Sequence, residues 1–574
     1  MTDVEGGLAE PAGLEPEQGS LDLADPADRW SAADWEDAAA AVLRKARRLA
    51  EDDDNALVWE RLTRTTLDGI GIPPLGTPAL LEDLTTDGRP TRAGAWDVRA
   101  HLRLADAKAA NEELRVDLDG GVTSLWLTVD PGADLAAVLD GVLLDLAPVV
   151  LDATADPLAA ARALLDHAGD AELHPGTNLG VPATADDADL LAGLELAERA
   201  GVLGLVVDAT DVHDRGGSDV QELARSLVLG VRLLRVLTEA GRSVDEVARR
   251  VEFRFAASDE QFPTIAKLRA ARRLWARVVE LSGGTDLEQR QHAVTSRPMM
   301  SRYDPYVNML RTTVAAFAAG VGGADAVTVL PFDSPLGRPD VLGRRIARNT
   351  SHLLIEESHV AAVADPAGGA YAVEKLTDDL AVAAWTLFGR LEDGTDLDEL
   401  VAATAAERDA QVARRTRPIT GLTEFPHLAE VLPERAPDDS WAGVRPHGAA
   451  FEALRDEPAA TPVFLATLGT VASHTARATF ATNLFAAGGI AVSPAGATAD
   501  VEALLAAYDG QPVVCLAGSD AAYAEWGAAA AEALRGAGAR WVIVAGRPTD
   551  YVDDSCAMGV DALDFVTRTR EKLS

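Results

Sequence analysis

Apolar and polar positions alternate with two different periods along this chain of 574 residues. Between about residues 120 and 400, short runs of apolar and β-branched residues predict eight buried strands. These runs are 124–129, 149–153, 171–174, 204–209, 251–256, 292–296, 326–330 and 352–356. Segments between them repeat apolar residues at helical spacing, which predicts helices at 133–146, 157–166, 186–200, 218–238 and 305–319. Eight strands joined by crossover helices predict a (β/α)8 TIM barrel, whose functional residues lie on the loops after the strands.

A second, smaller set of alternating elements follows a charged, proline-bearing stretch at about 391–461 that includes a predicted helix at 396–415. Five apolar runs predict strands at 463–468, 490–493, 513–516, 541–545 and 562–565. Five strands joined by alanine-rich helices predict an open, doubly wound parallel α/β domain. Its ligand crevice is expected at the carboxyl ends of the strands.

The first 30 residues are rich in Glu, Asp, Pro and Gly and have too few apolar residues to pack alone. Two interpretations are open: a disordered tail, or an arm that becomes ordered on a partner. The spacing of Trp30, Trp35, Val42 and Leu43 predicts an amphipathic helix over 30–49.

Charge and cysteine content narrow the possible partners and the cell compartment. The formal net charge is −39 at pH 7, which argues against nucleic acid or an anionic membrane as a principal partner. Two cysteines in so long a chain indicate a reducing compartment. The N-terminus has no apolar signal region and no run of about 18 apolar residues occurs, so we expect a cytoplasmic protein.

Five long segments carry a family resemblance. They are Lys267-Leu-Arg-Ala-Ala-Arg-Arg-Leu-Trp-Ala276, Asp304-Pro-Tyr-Val-Asn-Met-Leu-Arg-Thr-Thr313, Arg345-Ile-Ala-Arg-Asn-Thr350, Glu356-Glu-Ser358 and Asp365-Pro-Ala-Gly-Gly-Ala-Tyr-Ala-Val-Glu-Lys-Leu-Thr377. Over roughly residues 50 to 574, the chain resembles the methylmalonyl-CoA mutase family. The resemblance implies a TIM barrel followed by a flavodoxin-like domain of the cobalamin-binding type. It implies a partner-contacting arm at 1–45, the barrel at 46–395, a connector at 396–460 and a degenerate cobalamin-binding-like domain at 461–574.

The barrel departs from the family's catalytic chain at substrate-binding positions. That chain carries Arg-Pro-Trp-x-x-Arg-Gln-Tyr, to which Gly94-Ala-Trp-Asp-Val-Arg-Ala-His101 corresponds. Arg99 is retained, whereas Gly94 replaces an arginine and His101 replaces the tyrosine. The catalytic chain's Gln-Thr-Ser-Gly becomes Val294-Thr-Ser-Arg297, which replaces a polar residue with an apolar one.

The resemblance leaves weak substrate-binding candidates and no catalytic residue. Arg99 is one candidate. The other is His213, which follows the fourth predicted strand, where the catalytic chain carries an active-site histidine. The alternative for His213 is a hydrogen-bonded loop histidine without a role in binding.

The cobalamin loop of the second domain lacks the residues that would bind the cobalt. Counted from Gly469, the family's Asp-x-His-x-x-Gly places Val471 at the Asp position, Ser473 at the His position and Ala476 at the Gly position. A hydroxyl cannot replace an imidazole as a cobalt ligand, and valine cannot orient that ring. His474 lies one residue too late. The implied chain has no cofactor site and no metal site of its own.

The family includes heterodimers of a large catalytic chain and a small related chain, and these departures resemble those of the small chain. The resemblance then implies a homologous large subunit as partner, which binds adenosylcobalamin and acyl-CoA and isomerises (R)-methylmalonyl-CoA and succinyl-CoA. Two alternatives stay open. One is an active mutase on another acyl-CoA, and the other is a CoA-ester-binding or assembly module without mutase activity.

Overall fold

The computed structural model describes residues 30–85, 92–104, 106–153 and 155–574. Within these described ranges the chain forms two compact units, one of residues 30–66 and 71–76 and the other of residues 67–70 and those from 77 onward. The predicted N-terminal arm lies largely outside the described residues. No helix in the described part of the chain is long and apolar enough to cross a bilayer.

The smaller unit contains a short helical pair. Helix α1 spans Ala32–Lys45 and α2 spans Leu57–Leu62, so the amphipathic helix predicted over 30–49 is present in shortened form. The Trp35 and Trp59 rings lie 4.5 Å apart, and Ala40, Leu43 and Val58 are buried beside them. Two tryptophans therefore supply much of the apolar area that such a small unit can bury.

The larger unit begins with a closed barrel of eight parallel strands in the order β8-β1-β2-β3-β4-β5-β6-β7. The strands are β1 Asp97–Arg103, β2 Ser124–Thr128, β3 Val149–Asp152, β4 Asn178–Pro182, β5 Leu203–Asp208, β6 Val251–Ala257, β7 Arg290–Thr295 and β8 Ala326–Thr328. The predicted (β/α)8 fold is confirmed, and strands β2, β3 and β5 to β8 lie where the sequence predicts them.

Two predicted barrel strands are wrong. The run at 171–174 belongs to a loop that continues through Pro175 to Thr177, and the true strand β4 begins at Asn178. The run at 352–356 continues a helix as a π-helical turn, Leu353–Glu357. Its apolar run resembles that of a strand, but here it lies on a helix, from which Ile355 packs against the hydrophobic core outside the barrel strands.

The strand missing from the prediction is β1. Its sequence, Asp97-Val-Arg-Ala-His-Leu-Arg103, alternates charged and apolar residues because one face points into a polar barrel interior. Adding this strand moves His213 from after the fourth strand to after the fifth, β5.

Helices cover the outside of the barrel and extend through the connector. They are α3 Ala107–Asp119, α4 Leu135–Val138, α5 Pro157–Ala168, α6 Asp187–Ala200, α7 Thr210–Asp214, α8 Asp219–Glu239, α9 Val244–Ala248, α10 Gln261–Leu281, α11 Val307–Val321, α12 Val341–His352, α13 Tyr371–Glu392, α14 Leu397–Ala413 and α15 Ala449–Asp456. The helix predicted at 133–146 is wrong beyond its first turn, because Gly141 adopts a positive φ of 77° that interrupts it.

The second sheet has five parallel strands: β9 Val463–Thr467, β10 Val492–Pro494, β11 Val513–Ala517, β12 Trp541–Ala545 and β13 Asp554–Cys556. Their order, β10-β9-β11-β12-β13, is the flavodoxin-like order, which confirms the predicted class of this domain. Its helices are α16 Val471–Ala487, α17 Val501–Ala507, α18 Asp520–Ala522, α19 Ala528–Gly536 and α20 Ala562–Leu573. The strand predicted at 562–565 is wrong, because Asp561 caps a helix there.

The family segment that lies on α10, residues 267–276, has a structural role. Lys267 Nζ lies 2.6 Å from Glu222 and 2.9 Å from Asp219, and Lys267 is fully buried. Arg269 binds Glu374 at 2.5 Å. Trp275 is also fully buried against the barrel wall. These ion pairs hold α10 against α8 and α13. The motif therefore stabilises the packing of the helices around the barrel.

Candidate functional site

Arg99 lies inside the barrel and joins strands that are not neighbours. From β1, its Nη1 donates to Glu252 of β6 at 2.8 Å, and its Nε donates to the Ser124 hydroxyl of β2 at 2.8 Å. Neither charged side chain has exposed surface. A buried guanidinium needs a matching carboxylate, and Arg99 finds one within its own chain.

A second polar layer crosses the barrel nearer the carboxyl ends of the strands. The Trp126 ring lies 4.1 Å from the His101 ring and 5.2 Å from the His292 ring. Arg254 stacks 4.1 Å over Trp126 and donates to Asp208 at 2.7 Å. These side chains come from strands on different sides of the barrel, so they occupy its interior.

Within this layer His101 is held in its neutral form. Burial, together with the guanidinium groups of Arg297 and Arg254, lowers the pKa of His101 to about 3. Its Nε2 lies 2.9 Å from the Thr128 hydroxyl. His101, which stands where the catalytic chain has a tyrosine, is therefore held by a short neutral hydrogen bond.

A cavity of about 290 Å³ lies between β8 and β1, the two strands whose pairing closes the barrel. Strands β8 and β1 pair only at Ala326 with Asp97 and Val327 with Val98, whereas β1 and β2 pair at five positions. Beyond Val98 the two strands separate. The cavity is lined by both strands, by α12 and by connector residues 437–441.

The charges that line this cavity balance one another. Five arginines line it, and so do five carboxylates, which gives a formal charge of 5 − 5 = 0. Arg103 pairs with Asp130 at 2.9 Å, and Arg348 pairs with Asp117 at 3.0 Å. A CoA ester is anionic, and this lining offers it no excess of positive charge.

His213 lies on α7, after β5. Its Nε2 is 2.6 Å from the Ser296 hydroxyl, and the ring is 6% exposed. Burial and the nearby Lys267 ammonium lower the pKa of His213 to about 3, so the ring is neutral. Connector residue His447 donates its backbone N–H to the Pro298 carbonyl at 2.8 Å, which brings the connector over this corner of the barrel.

In the second domain, the three cobalamin-loop positions all lie in the first turns of α16. Val471 is the first residue of that helix and is 62% exposed. The Ser473 hydroxyl donates to the Thr470 carbonyl at 2.6 Å. Ala476 follows one turn later. His474 is buried, its Nδ1 has no hydrogen-bond partner, and it lines a groove between α16 and β10.

The crevice at the carboxyl ends of β9, β11 and β12 is closed by side chains of the chain itself. Arg477 donates to the Gly518 carbonyl at 2.7 Å and stacks 4.9 Å over the Tyr523 ring. The Tyr523 hydroxyl accepts from the Gly518 N–H at 3.0 Å and lies 2.9 Å from the Ala545 carbonyl. In this fold class ligands bind at this crevice. Here the backbone groups that border it already have partners within the chain.

These residues do not fit adenosylcobalamin. The ligand position carries a serine that is bonded to its own helix, and the crevice is occupied by Arg477 and Tyr523. Arg547 and Pro548 follow β12 closely, where the sequence predicts crowding of the nucleotide tail. Among the residues that the structure describes, no group of three or more His, Cys, Asp or Glu side chains is placed to hold a metal ion.

Sequence reasoning missed the polar layers of the barrel, although one strand carried a usable signal. In β6, Val251-Glu-Phe-Arg-Phe255, charged residues alternate with large apolar ones. Such a strand must have one polar buried face. Glu252 and Arg254 could therefore have been assigned to the barrel interior, but their partners on β1, β2 and β5 follow only from the closed sheet.

Comparisons with known proteins agree on one family. The family model described as methylmalonyl-CoA mutase matches residues 200–501. The chain is 44% identical to the methylmalonyl-CoA mutase small subunit of Streptomyces virginiae, over 94% of this chain and 96% of that protein. It is 40% identical to a probable small subunit of Mycobacterium bovis, over 89% and 92% of the two chains. Identity to the small subunit of Propionibacterium freudenreichii subsp. shermanii is 35%, over 96% of both.

Proposed function

Because this chain belongs to the methylmalonyl-CoA mutase family and is similar to its small subunits along nearly its whole length, we propose that it is the small subunit of a heterodimeric mutase. In this proposal a homologous large subunit binds adenosylcobalamin and acyl-CoA, and interconverts (R)-methylmalonyl-CoA and succinyl-CoA. This chain supports that subunit and contributes no catalytic residue. Its four regions are the arm at 1–45, the barrel at 46–395, the connector at 396–460 and the degenerate domain at 461–574.

The closed crevice of the second domain carries the proposal. Ser473 stands at the ligand position with its hydroxyl bonded to Thr470, and Arg477 spans from α16 to the loop after β11. Opening this crevice would break the Arg477 contact and strip the Tyr523 hydroxyl of its partners, at a cost of about 1–3 kcal/mol for each buried polar group left unpaired. The fold is retained while the site is filled.

The barrel interior supports the same conclusion. Arg99 is engaged by Glu252, and His213 is engaged by Ser296. We therefore assign both residues to the stability of the barrel and not to substrate binding. This also disfavours an active mutase on another acyl-CoA, which needs polar groups that are free to meet the substrate.

A CoA-ester-binding module is the second candidate, and the cavity between β1 and β8 favours it. Its volume of about 290 Å³ is at the low end for a small-molecule site. Its balanced charges argue against a ligand with several phosphates. Calorimetric titration of the chain with CoA and methylmalonyl-CoA tests this candidate, because micromolar binding by the chain alone would support it.

A cytoplasmic location is part of the proposal. Cys515 and Cys556 are both free and both buried. Unpaired thiols agree with a reducing compartment.

The test combines cofactor binding with turnover. The chain alone, incubated with adenosylcobalamin and passed over a gel-filtration column, is expected to retain no cofactor absorbance and to show no mutase activity. Ser473→His is expected to behave in the same way, because Arg477 and Tyr523 still fill the crevice. Mixed with its large subunit, the chain is expected to give cofactor-dependent turnover.

His213→Ala separates a supporting barrel from an active one. In the heterodimer we expect turnover within about threefold of wild type, whereas loss of a general acid costs roughly 10²-fold or more. A loss of that larger size, or a stoichiometric coloured complex of the chain alone, would contradict the proposal.

A further inference from the structure

Four large apolar side chains are exposed near the start of α11. Tyr306 is 62% exposed, Leu310 68%, Phe425 72% and Val431 90%. We call these four residues the Phe425 patch. Single exposed apolar residues are ordinary on protein surfaces, whereas a group of them in one place marks a contact surface.

Asp304 brings the members of the patch together. Its backbone N–H donates to both carboxylate oxygens of Glu430 at 3.0 Å, which brings the chain segment that contains Glu430 and Val431 to this end of α11. Tyr306 follows Asp304 by two residues. Leu310 lies one helical turn after Tyr306, so the two side chains share a face at the N-terminal end of α11.

The turn that leads into Phe425 packs on the same point. A Cβ added to Gly421 would lie 2.6 Å from the Asp304 side chain, so the two backbones are in close contact. Arg311 of α11 donates to the Thr420 carbonyl at 2.7 Å. The connector therefore carries Phe425 to the N-terminal end of α11.

The backbone of Phe425 is strained. Its φ is 55°, in the left-handed region that bulky residues rarely adopt, so the conformation is unfavourable. Its ring is nevertheless mostly exposed, so burial within the chain does not offset this cost. Contact of the Phe425 ring with another molecule would offset this strain.

We propose that the Phe425 patch is a docking surface for the large subunit, an inference that rests on the proposed function. The charge of the chain disfavours a second copy as the occupant. At −39 per chain, a homodimer brings together twice that charge, and repulsion opposes the contact. The relatives are named small subunits, which implies a larger partner chain as the occupant, and exposed aromatic side chains are typical anchors of a heterologous interface.

The test uses the full chain and the large subunit purified from the same organism. In the double variant Leu310→Glu/Phe425→Asn, glutamate suits an exposed helix position and asparagine tolerates the left-handed backbone, so folding is preserved. Val382→Glu is the matched control, because Val382 is also an exposed apolar residue, 56% exposed, on helix α13. Affinity is measured by sedimentation and calorimetry, and folding by the Tm of each isolated chain.

We expect the double variant to bind the large subunit at least about tenfold more weakly, with the Tm of the chain unchanged, and the control to bind like wild type. Equal affinity of the double variant and wild type overturns the docking surface and leaves the proposed function intact. A wild-type chain that does not bind the large subunit at all overturns both. A homodimer that the double variant dissolves would assign the patch to a second copy.

Discussion

At the scale of single residues, the charges inside the barrel are matched within the chain. Arg99 meets Glu252, and Arg254 meets Asp208, with all four on strands. Buried pairs of this kind contribute little net stability, yet removing one partner leaves the other charge unsatisfied. Arg99, which the sequence offers as a substrate-binding candidate, is thus engaged by a carboxylate of its own chain.

Arg99→Met tests this dependence. We expect the free energy of unfolding to fall by about 3–5 kcal/mol, because the fully buried Glu252 carboxylate loses its closest partner and keeps the longer contact with Arg290, at 3.8 Å. Urea denaturation measures the loss. The double variant Arg99→Met/Glu252→Leu should recover much of it, since no charge is then left unpaired.

The matched control for Arg99 is Arg103→Met on the same strand. Arg103 and Asp130 are 34% and 43% exposed in their side chains, so this pair is worth only about 0–1 kcal/mol. Equal losses for the two variants would show that Arg99 is not engaged as the structure has it.

His101 makes stability depend on pH. Its pKa is about 3 in the folded chain and about 6.5 when unfolded, because burial excludes the charged form. Between pH 3 and pH 6.5, His101 is protonated in the unfolded chain but not in the folded one. Its contribution to the free energy of unfolding is therefore complete above pH 6.5 and declines as the pH falls below that value. At pH 5 about 2 kcal/mol is lost.

The comparison of wild type with His101→Gln isolates this histidine. The difference in unfolding free energy between the two proteins should shrink by about 2 kcal/mol from pH 7.5 to pH 5, because glutamine does not titrate. The measurement is urea denaturation at each pH. A constant difference would mean that His101 is not buried in neutral form.

At the scale of elements, β4 shows how a strand with few strand-forming residues is built. Its register shifts between Asn178 and Val181. Gly180 lies at this irregularity with φ 76°, and a Cβ there would lie 2.0 Å from the Leu151 carbonyl oxygen. Only glycine permits so close an approach of two backbones in this conformation.

Gly180→Ala is therefore expected to destabilise the chain by about 3 kcal/mol or more, through a backbone clash and an unfavourable φ. Gly201→Ala is the control: its φ is 70°, and nothing lies within 4 Å of the added Cβ. We expect about 1 kcal/mol there, from conformation alone. Thermal and urea unfolding distinguish the two, and similar losses would exclude the clash.

At the scale of the whole molecule, the chain keeps a barrel and a flavodoxin-like sheet, but Arg477 and Tyr523 occupy the crevice of the sheet, and the barrel cavity is small and its lining charges balance. A protein that retains this shape with so little of a binding site is most simply understood through its surface. An obligate heterodimer buries roughly 2,000 Å² or more, which the Phe425 patch alone does not provide. Other contacts must complete such an interface.

Deletion of residues 1–28 tests the acidic N-terminal segment as one of these contacts. If it is a partner-binding arm, the truncated chain should bind its large subunit more weakly in sedimentation of a co-expressed complex. The segment has too few apolar residues to pack alone, so the arm interpretation requires a partner to supply the apolar contact. Unchanged affinity would favour the disordered tail.

Local patterns determined much of the architecture from the sequence. Apolar periodicity correctly located six of the eight barrel strands and four of the five in the second sheet, because fully buried strands leave continuous apolar runs. In the barrel it failed for β1 and β4. Strand β1 buries a polar face inside the barrel, so it has no continuous apolar run. Strand β4 contains Gly180, where the close approach of Leu151 on β3 leaves no room for a side chain.

The absence of a histidine at Ser473 is a property of the sequence alone, and so is the family to which the long segments belong. Tertiary structure decided what replaced the missing chemistry. Arg477 and Tyr523 lie 46 residues apart in the chain, and only the parallel sheet brings them to one crevice. Likewise Arg99 and Glu252 become a pair only when the barrel closes, because a contact across its interior joins strands far apart in sequence.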